Sequence, residues 1–192
     1  MIRIGEGSDV HQLSFGRPLV LGGVTIPDAK GAKGHSDADC LTHAVIDAVL
    51  GAAGLGDIGH HFPDDDDKYK NASSIKLLET VCEKITKLGF TVYNIDATVM
   101  LQAPKIEPYK RAMAHKIAEA LKIQPFQVNI KAKTGEGLGP VGKLEAIEAH
   151  AVCLVEEPDP NAPPKKKEQG PKVISINIGP EEPNAAPEAP KT

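Results

Sequence analysis

Residues 2–11 read IRIGEGSDVH, and this stretch carries both the first strand signal and the first candidate ligands. Apolar and polar residues alternate loosely over residues 2–10, a pattern typical of a β-strand. In an extended chain, residues two apart point to the same side. The stretch therefore predicts a strand that presents the carboxylate of Asp9 and the imidazole of His11 together.

The rest of the chain alternates between strand-like and helix-like segments. Residues 19–26 (LVLGGVTI) predict a hairpin that turns at the glycine pair. Either Asp37 or Asp39 could cap the first helix, and Pro108 fits the first turn of the last one. The predicted helices span residues 40–54, 73–88 and 108–122, and the remaining predicted strands span residues 90–101 and 128–133. Residues 147–155 predict a last strand or a strand followed by a turn.

This order of elements, β-β-α-α-β-α-β, predicts the α/β class in the form of an α+β sandwich. We expect a mixed sheet of about four strands with helices on one face, plus a small β-hairpin. The length of 192 residues suits one domain. Because Trp is absent and aromatic residues make up 4%, the core must rest on aliphatic side chains.

The composition changes after Glu157. Residues 158–192 carry nine of the sixteen prolines and a run of lysines at 165–167. Such a segment lacks the apolar surface needed to fold alone, so we predict a domain over residues 1–157 and a Pro-rich, disordered tail over residues 158–192. The β-prone segment 173–178 (VISINI) could dock as an edge strand or stay unattached.

Charge and hydropathy argue against several classes of partner. The formal net charge is −4 and no basic stripe is present, so nucleic acid is not expected. No apolar stretch approaches a membrane span of about 20 residues, and the N-terminus lacks a signal-peptide pattern. Cys40, Cys82 and Cys153 are far apart, which favours reduced thiols in a cytoplasmic protein. A thiol nucleophile is the alternative to buried packing.

A candidate metal site combines the first strand with the first helix. His43 falls in that helix and could bring a second imidazole to Asp9 and His11. Two histidines and one carboxylate, with one position left open, are typical of catalytic zinc. An open position is where a metal polarises a phosphoryl or carbonyl oxygen. Each residue alone would be an ordinary surface or packed residue, so the prediction depends on all three converging.

Two loops near this site add candidate binding residues. Residues 30–37 (KGAKGHSD) place His35 and Ser36 before a helix whose N-terminal amides favour an anion, although an ordinary capped loop has the same pattern. Residues 55–67 (LGDIGHHFPDDDD) place Asp57 in a glycine-bounded turn that could bind a substrate hydroxyl.

The same aspartate-rich loop offers weaker candidates. His60 and His61 could be metal ligands but rank below the group on the first strand and helix. Asp65 and Asp67 belong to a run of four aspartates, which is typical of a solvated loop.

Two later loops follow predicted strands. Residues 101–106 (LQAPKI) lie between a strand and a helix, where Lys105 could meet a phosphate. Residues 131–143 (KAKTGEGLGPVGK) form a glycine-rich turn with lysines that suits a diphosphate, although the Walker A order is missing. Glu136 could hold a hard cation such as Mg²⁺. A flexible hairpin loop is the alternative.

Together these segments resemble the 2-C-methyl-D-erythritol 2,4-cyclodiphosphate synthase family of the non-mevalonate isoprenoid pathway. The matching stretches occur in family order within residues 2–156, at residues 3–11, 21–27, 35–43, 56–59 with 62–64, 102–105 and 131–136. The resemblance implies a lyase that converts 4-diphosphocytidyl-2-C-methyl-D-erythritol 2-phosphate to the 2,4-cyclodiphosphate and CMP. It also implies a homotrimer with active sites between neighbouring subunits and sheets facing the threefold axis.

The resemblance further implies roles for individual residues. Asp9, His11 and His43 would bind one Zn²⁺ per chain, and Glu136 would hold Mg²⁺ or Mn²⁺ between the two phosphates of the CDP group. His35 and Thr134 would stabilise the transition state. The implied substrate-binding residues are Asp9, Val10, His11, His35, Ser36, Asp57, Ile58, Gly59, Phe62, Pro63, Asp64, Asp65, Asp66, Leu101, Gln102, Ala103, Pro104, Lys105, Ile106, Glu107, Lys133, Thr134, Gly135, Glu136, Pro140 and Lys143.

The last glycine-rich loop departs from the family pattern. Many members have a Thr-Thr-Thr-Glu-Lys run where residues 133–137 read KTGEG, and a Phe where Pro140 stands. Lys143 stands where an Arg is frequent, which keeps the charge but loses bidentate phosphate binding. Thr134 and Glu136 are retained, so the chemistry is expected to be retained as well.

Two other functions would use the same residues. A metal-dependent phosphohydrolase would employ water as the nucleophile on a similar nucleotide diphosphate. A non-catalytic trimer would bind isoprenoid diphosphates without turning them over.

Overall fold

The first strand, β1, spans Ile2–Phe15 and is longer than the predicted segment 2–10. The structure is a computed structural model that describes residues 1–27 and 30–158. The predicted tail lies outside the described residues from position 159 onward, as does the candidate edge segment 173–178. From Arg3 to Leu13 the odd-numbered residues of β1 are buried or half-buried, while the even-numbered residues from Ile2 to Gln12 are exposed. The alternation seen in the sequence is therefore the division between two faces of a sheet.

Helix α1 (Cys40–Ala53) lies directly on β1 because two glycines of the strand carry no side chain. A Cβ added to Gly5 would lie 1.9 Å from the carbonyl oxygen of Ala48, and one added to Gly7 would lie 2.2 Å from that of Ala44. Each step of two residues along β1 thus moves the contact one turn back along α1. The next step brings Asp9 to the first turn of the helix, where its carbonyl accepts a hydrogen bond from the Cys40 thiol at 3.1 Å.

The strands after β1 are β2 (Leu19–Leu21), β3 (Val24–Ile26), β4 (Lys30–Ala32), β5 (Thr91–Met100), β6 (Val128–Lys133) and β7 (Ala146–Glu156). The main sheet has five strands in the order β4-β1-β7-β5-β6. All neighbours are antiparallel except β5 and β6, so the sheet is mixed as predicted. A separate two-stranded hairpin pairs β2 with β3, as the glycine pair indicated.

The count of about four strands was one too low because β4 was interpreted as part of a loop. Its three residues pair with Leu13–Phe15 at the end of β1. A strand this short shows no periodicity, and Gly31 weakens the signal further. The glycine is needed because a Cβ there would lie 2.2 Å from the carbonyl oxygen of Pro18.

The helices after α1 are α2 (Ile58–His61), α3 (Ser74–Lys87), α4 (Lys110–Leu121) and α5 (Gly139–Gly142). The long helices cover one face of the sheet: α1 packs on β1 and β7, α4 packs on β6, and α3 contacts both α1 and α4. Pro108 lies in a 3-10 turn, Glu107–Tyr109, just before α4 rather than inside it, so the predicted start at 108 was two residues early.

The cysteines serve packing rather than nucleophilic chemistry. Cys40, Cys82 and Cys153 are all buried and unpaired. Burial raises the pKa of each thiol, that of Cys153 to about 12, so the reactive thiolate is scarce at neutral pH. Within residues 1–27 and 30–158, no helix has the length and apolar character needed to cross a bilayer.

Candidate metal site and the cavity across the sheet

Asp9, His11 and His43 converge on one point at the junction of β1 and α1. The Oδ2 atom of Asp9 lies 3.0 Å from Nε2 of His11 and 3.0 Å from Nδ1 of His43. The two nitrogens are 3.1 Å apart. The three side chains are 23%, 16% and 11% exposed, so one side of the group faces solvent. Among the described residues this is the one group of His, Cys, Asp or Glu arranged to hold a metal ion, and we call it the metal group.

The geometry of the metal group fits a tetrahedral cation with one open position. Bonds of about 2.0–2.1 Å in that geometry place ligand atoms about 3.3 Å apart, close to the observed spacings. The other atoms of the ligands already have partners, which aims the remaining ones inward. Asp9 Oδ1 accepts a hydrogen bond from Val10 N–H at 2.9 Å. His11 donates through Nδ1 to the carbonyl of Lys33 at 2.9 Å.

The charges within the metal group support cation binding. Burial opposes ionisation of Asp9, but hydrogen bonds and positive charge from His11 and His43 outweigh it and hold the pKa of Asp9 well below its usual range. Burial alone would lower the pKa of His43, but the hydrogen bond and negative charge of Asp9 outweigh it and raise that pKa. A cation bound here would replace a proton between Asp9 and His43.

The loop before α1 holds His35 and Ser36 beside the metal group. Gly34 packs on the ring of His11, since an added Cβ would lie 3.0 Å from its Cε1 atom. The guanidinium of Arg17 donates to the carbonyls of Gly34 and Ser36, both at 2.8 Å. The backbone on both sides of His35 is therefore fixed by one side chain. No motif in the sequence marks Arg17, because its two hydrogen-bond partners are backbone carbonyls of a loop that is distant in the sequence.

Asp39, rather than Asp37, caps α1. Its buried carboxylate accepts hydrogen bonds from Thr42 N–H at 3.0 Å and from the Thr42 hydroxyl at 2.7 Å. It also accepts from the backbone N–H groups of Gly22 and Gly23, at 2.9 and 2.6 Å. Burial raises the pKa of Asp39, and the hydrogen bonds from Thr42 and Gly23 oppose that rise. The same carboxylate thus fixes the β2–β3 turn and the start of α1.

The loop at residues 55–67 lies next to α1 and is held by it. Asp57 caps α2 by accepting from His60 N–H at 2.9 Å, and Ile58 N–H donates to the carboxylate of Asp47 at 2.7 Å. Asp47 stands one turn after His43 on α1, a spacing that could have marked it in the sequence. It was not among the residues predicted from the sequence.

The histidines of this loop are not members of the metal group. His61 contacts the Leu55 carbonyl and the Lys84 ammonium, each at 2.9 Å, so both ring nitrogens are occupied. The aspartates at 64–67 are exposed, as a solvated loop would be, and Asp66 accepts from Lys68 N–H at 3.0 Å.

A second candidate region lies where β5 and β6 end. A cavity of about 530 Å³ opens there, and we call it the strand-end cavity. Thr134 donates a hydrogen bond to the carboxylate of Glu136 at its rim. Gln102 sits beside it, 3.5 Å from the Gly137 N–H. The cavity is lined by Val99, Met100, Leu101, Pro104, Lys105, Ile106, Glu107, Ala132, Lys133, Thr134 and Glu136. Pro140 and Lys143, also predicted to bind substrate, are not among these lining residues.

The metal group and the strand-end cavity are at the same end of the sheet but three strands apart. Val10 pairs with Glu148, Glu148 with Met100, and Met100 with Lys133. At about 4.8 Å per strand, the strands of Val10 and Lys133 are about 14 Å apart. The predicted ligand Glu136 and the predicted zinc ligands are therefore on opposite sides of β7 and β5 within one chain.

Known proteins are similar to this chain in sequence and in fold. The sequence model of the YgbB family matches residues 2–156. A 2-C-methyl-D-erythritol 2,4-cyclodiphosphate synthase of Desulfatibacillum aliphaticivorans is 57% identical over 155 residues, which cover 81% of this chain and 100% of the relative. The enzyme of that name from Enterococcus faecalis is 56% identical over 157 residues, covering 82% of this chain and 100% of the relative.

Solved structures agree with the fold. A cyclodiphosphate synthase in its CDP-bound form superposes with a TM-score of 0.74 at 36% identity, over 80% of this chain and 100% of that one. The IspF–CDP complex of Plasmodium falciparum gives 0.72 at 34% identity, over 82% and 97%. The bifunctional IspDF of Campylobacter jejuni gives 0.80 at 45% identity, over 83% of this chain and 43% of that longer one.

Proposed function

The chain belongs to the YgbB family, and on that premise we propose that it is an enzyme that forms 2-C-methyl-D-erythritol 2,4-cyclodiphosphate in isoprenoid precursor biosynthesis. Its substrate would be 4-diphosphocytidyl-2-C-methyl-D-erythritol 2-phosphate. The observation that carries the proposal is the convergence of Asp9, His11 and His43, with one side left open, in a chain so similar to enzymes of that name. Chance placement of ligands would not leave each of them oriented inward by its own partner.

The reaction joins two groups of one substrate. An oxygen of the 2-phosphate attacks the β-phosphorus of the CDP group, a new P–O bond closes the ring, and the bond to the bridging oxygen breaks. CMP leaves with that electron pair. The nucleophile is already an anion, so no general base is required. The barrier lies in bringing negative groups together, and the site must supply charge neutralisation and alignment.

We propose Zn²⁺ at the metal group, one per chain, and Mg²⁺ or Mn²⁺ beside Glu136. The donor sets fit these ions, since imidazole with carboxylate suits zinc and a lone carboxylate with phosphate oxygens suits magnesium. The bound cations would supply charge neutralisation for the phosphates.

The chain's own residues would orient the substrate. Arg17, through its hydrogen bonds to the carbonyls of Gly34 and Ser36, would hold the loop so that His35 and Ser36 can contact the phosphates. Asp57, in the turn held by Asp47, would accept hydrogen bonds from the methylerythritol hydroxyls. The strand-end cavity would take the nucleotide, and Lys133 and Thr134 at its rim would contact the diphosphate. The CDP named in two solved relatives supports a nucleotide-binding role for this fold.

A homotrimer would complete this site. Both metals must reach one diphosphate, yet within a single chain their candidate ligands are on strands about 14 Å apart. A neighbouring chain could bring its strand-end cavity to the metal group. The uncovered face of the sheet supports such an assembly, because Ile4, Val10 and Val152 are 70%, 64% and 42% exposed there. We propose that these faces meet around the threefold axis.

The three buried, unpaired cysteines are compatible with a cytoplasmic location, which stays a prediction.

Product analysis tests the proposed reaction. The purified full chain is incubated with the substrate, Zn²⁺ and Mg²⁺, and the phosphorus products are resolved by ³¹P NMR. Cyclic diphosphate with equimolar CMP supports the proposal. Linear hydrolysis products would instead indicate a phosphohydrolase, and an unchanged substrate would leave only a binding role. Native mass spectrometry of the same sample tests the trimer and its zinc content.

A further inference from the structure

A buried chain of hydrogen bonds continues from the metal group into the start of α3. His43 Nε2 lies 2.8 Å from the hydroxyl of Ser74, which is 0% exposed. That hydroxyl donates to Oδ1 of Asp37, and Ser74 N–H donates to Oδ2 of Asp37 at 2.9 Å. Three separate segments thus meet in sequence: α1, the first residue of α3, and the loop before α1.

Helix capping does not explain this serine. The residue at the cap position of α3 is Ser73, and its side chain makes no capping hydrogen bond. Ser74 is the first helical residue, and its hydroxyl is turned away from the helix toward His43 and Asp37. A hydroxyl used only for capping would accept from a backbone N–H of its own first turn.

The direction of the hydrogen bonds fixes the tautomer of His43. A carboxylate can only accept, so Asp37 takes the hydroxyl hydrogen of Ser74. The lone pairs of Ser74 then remain for His43, which must donate through Nε2. Ser36 Oγ, 3.1 Å from the same nitrogen, offers a second acceptor. In the neutral ring, with its hydrogen on Nε2, the Nδ1 lone pair of His43 would be available to a metal held together with Asp9 and His11.

We propose that Ser74 and Asp37 are positioning residues for His43, which hold its ring and tautomer in the form that binds a metal. The proposal rests on the metal site within the proposed function. Partners of this kind typically change metal affinity by about 10–100-fold. The hydrogen bonds connect Asp37 to His43 through Ser74, so we expect the two residues to work in series.

The test measures zinc affinity of the full chain, stripped of metal and titrated against a chromophoric chelator. We expect Ser74→Ala and Asp37→Asn each to weaken zinc binding by about 10–100-fold. Adding Asp37→Asn to Ser74→Ala should cost little more, because the relay is already cut. Ser73→Ala is the matched control and should stay within about twofold of the wild type, since its side chain makes no capping hydrogen bond.

A spectroscopic measurement separates this role from general destabilisation. The Co²⁺-loaded variants should show a shifted visible absorption band, which reports ligand geometry, while thermal unfolding of the metal-free proteins controls for folding. Asp37→Asn keeps the Ser74 side chain in place and serves if Ser74→Ala unfolds. Unchanged zinc affinity and an unchanged Co²⁺ band in both variants would overturn the proposal. Additive losses in the double variant would overturn the series arrangement.

The same samples distinguish this inference from the proposed function. If the wild type forms cyclic product but Ser74→Ala binds zinc normally, the inference fails and the function stands. If Ser74→Ala weakens zinc binding but the wild type forms no cyclic product, the function fails and the positioning role stands.

Discussion

The metal group and the strand-end cavity differ in how much of each a single chain completes. In the metal group, hydrogen bonds from the chain itself aim Asp9, His11 and His43 inward. At the cavity, Lys133 and Glu136 are exposed, and Glu136 is held chiefly by the neighbouring Thr134 hydroxyl. The first region is built before any ligand arrives. The strand-end cavity contains only part of a site, and a ligand or another chain must complete it.

Removal of a metal ligand should have the largest effect. His43→Ala removes one of the three metal ligands, so bound zinc should fall to background. Turnover should fall by more than about 100-fold, which is more than the loss expected when a residue that only supports a ligand is removed. Metal analysis with product formation measures both. His60→Ala, in the adjacent loop but outside the metal group, is the control and should keep both. Loss of zinc with full turnover would show that the metal group is not catalytic.

Glu136→Gln should separate the two regions. The side chain keeps its size and loses its charge, so we expect kcat to fall by about 100-fold, as for removal of one group that stabilises transition-state charge. Zinc content should not change, because the metal group lies across the sheet. Rate measurements over a Mg²⁺ series, with zinc analysis alongside, test this. A loss of zinc in Glu136→Gln would mean that the two regions are one site within each chain.

Arg17→Lys should have a smaller effect. One ammonium group cannot serve two carbonyls in the fork geometry of the guanidinium, so the loop carrying His35 should shift. We expect kcat to fall about tenfold through misalignment, with zinc affinity nearly unchanged. Steady-state kinetics are compared with those of Arg3→Lys, a change at a surface ion pair with Glu157. Equal kcat values for Arg17→Lys and Arg3→Lys would show that Arg17 has no positioning role.

Mixing two inactive variants tests whether the halves come from different chains. His43→Ala spoils the metal group, and Glu136→Gln spoils the cavity. Equal amounts of the two variants are unfolded and refolded together. If each site takes its metal group from one chain and its cavity from a neighbour, each half is intact with probability one half. The mixture should then regain about a quarter of wild-type activity. Sites built within single chains would regain none. Separately refolded variants are the control.

Periodic signals in the sequence predicted most of the fold, and contacts between distant segments account for what was missed. The alternation in residues 2–10 and the helical spacing after Asp39 gave β1 and α1, and with them the convergence of Asp9, His11 and His43. The short β4 and the glycine-rich α5 have no period to detect. The hydrogen bonds of Arg17, Asp47 and Ser74 join positions at least eleven residues apart, so no local pattern in the sequence predicts these partners.

The two glycines of β1 set the distance between β1 and α1, and a bound ligand could not change that distance. A methyl group at Gly7 would fall on the backbone oxygen of Ala44, so the helix would have to lift and carry His43 away from Asp9. A tetrahedral ion tolerates only small errors in the spacing of its donors. The choice of metal in this protein would then depend on Gly5 and Gly7, which have only a hydrogen atom where other strand residues have a side chain. Neither glycine would contact the ion or the substrate.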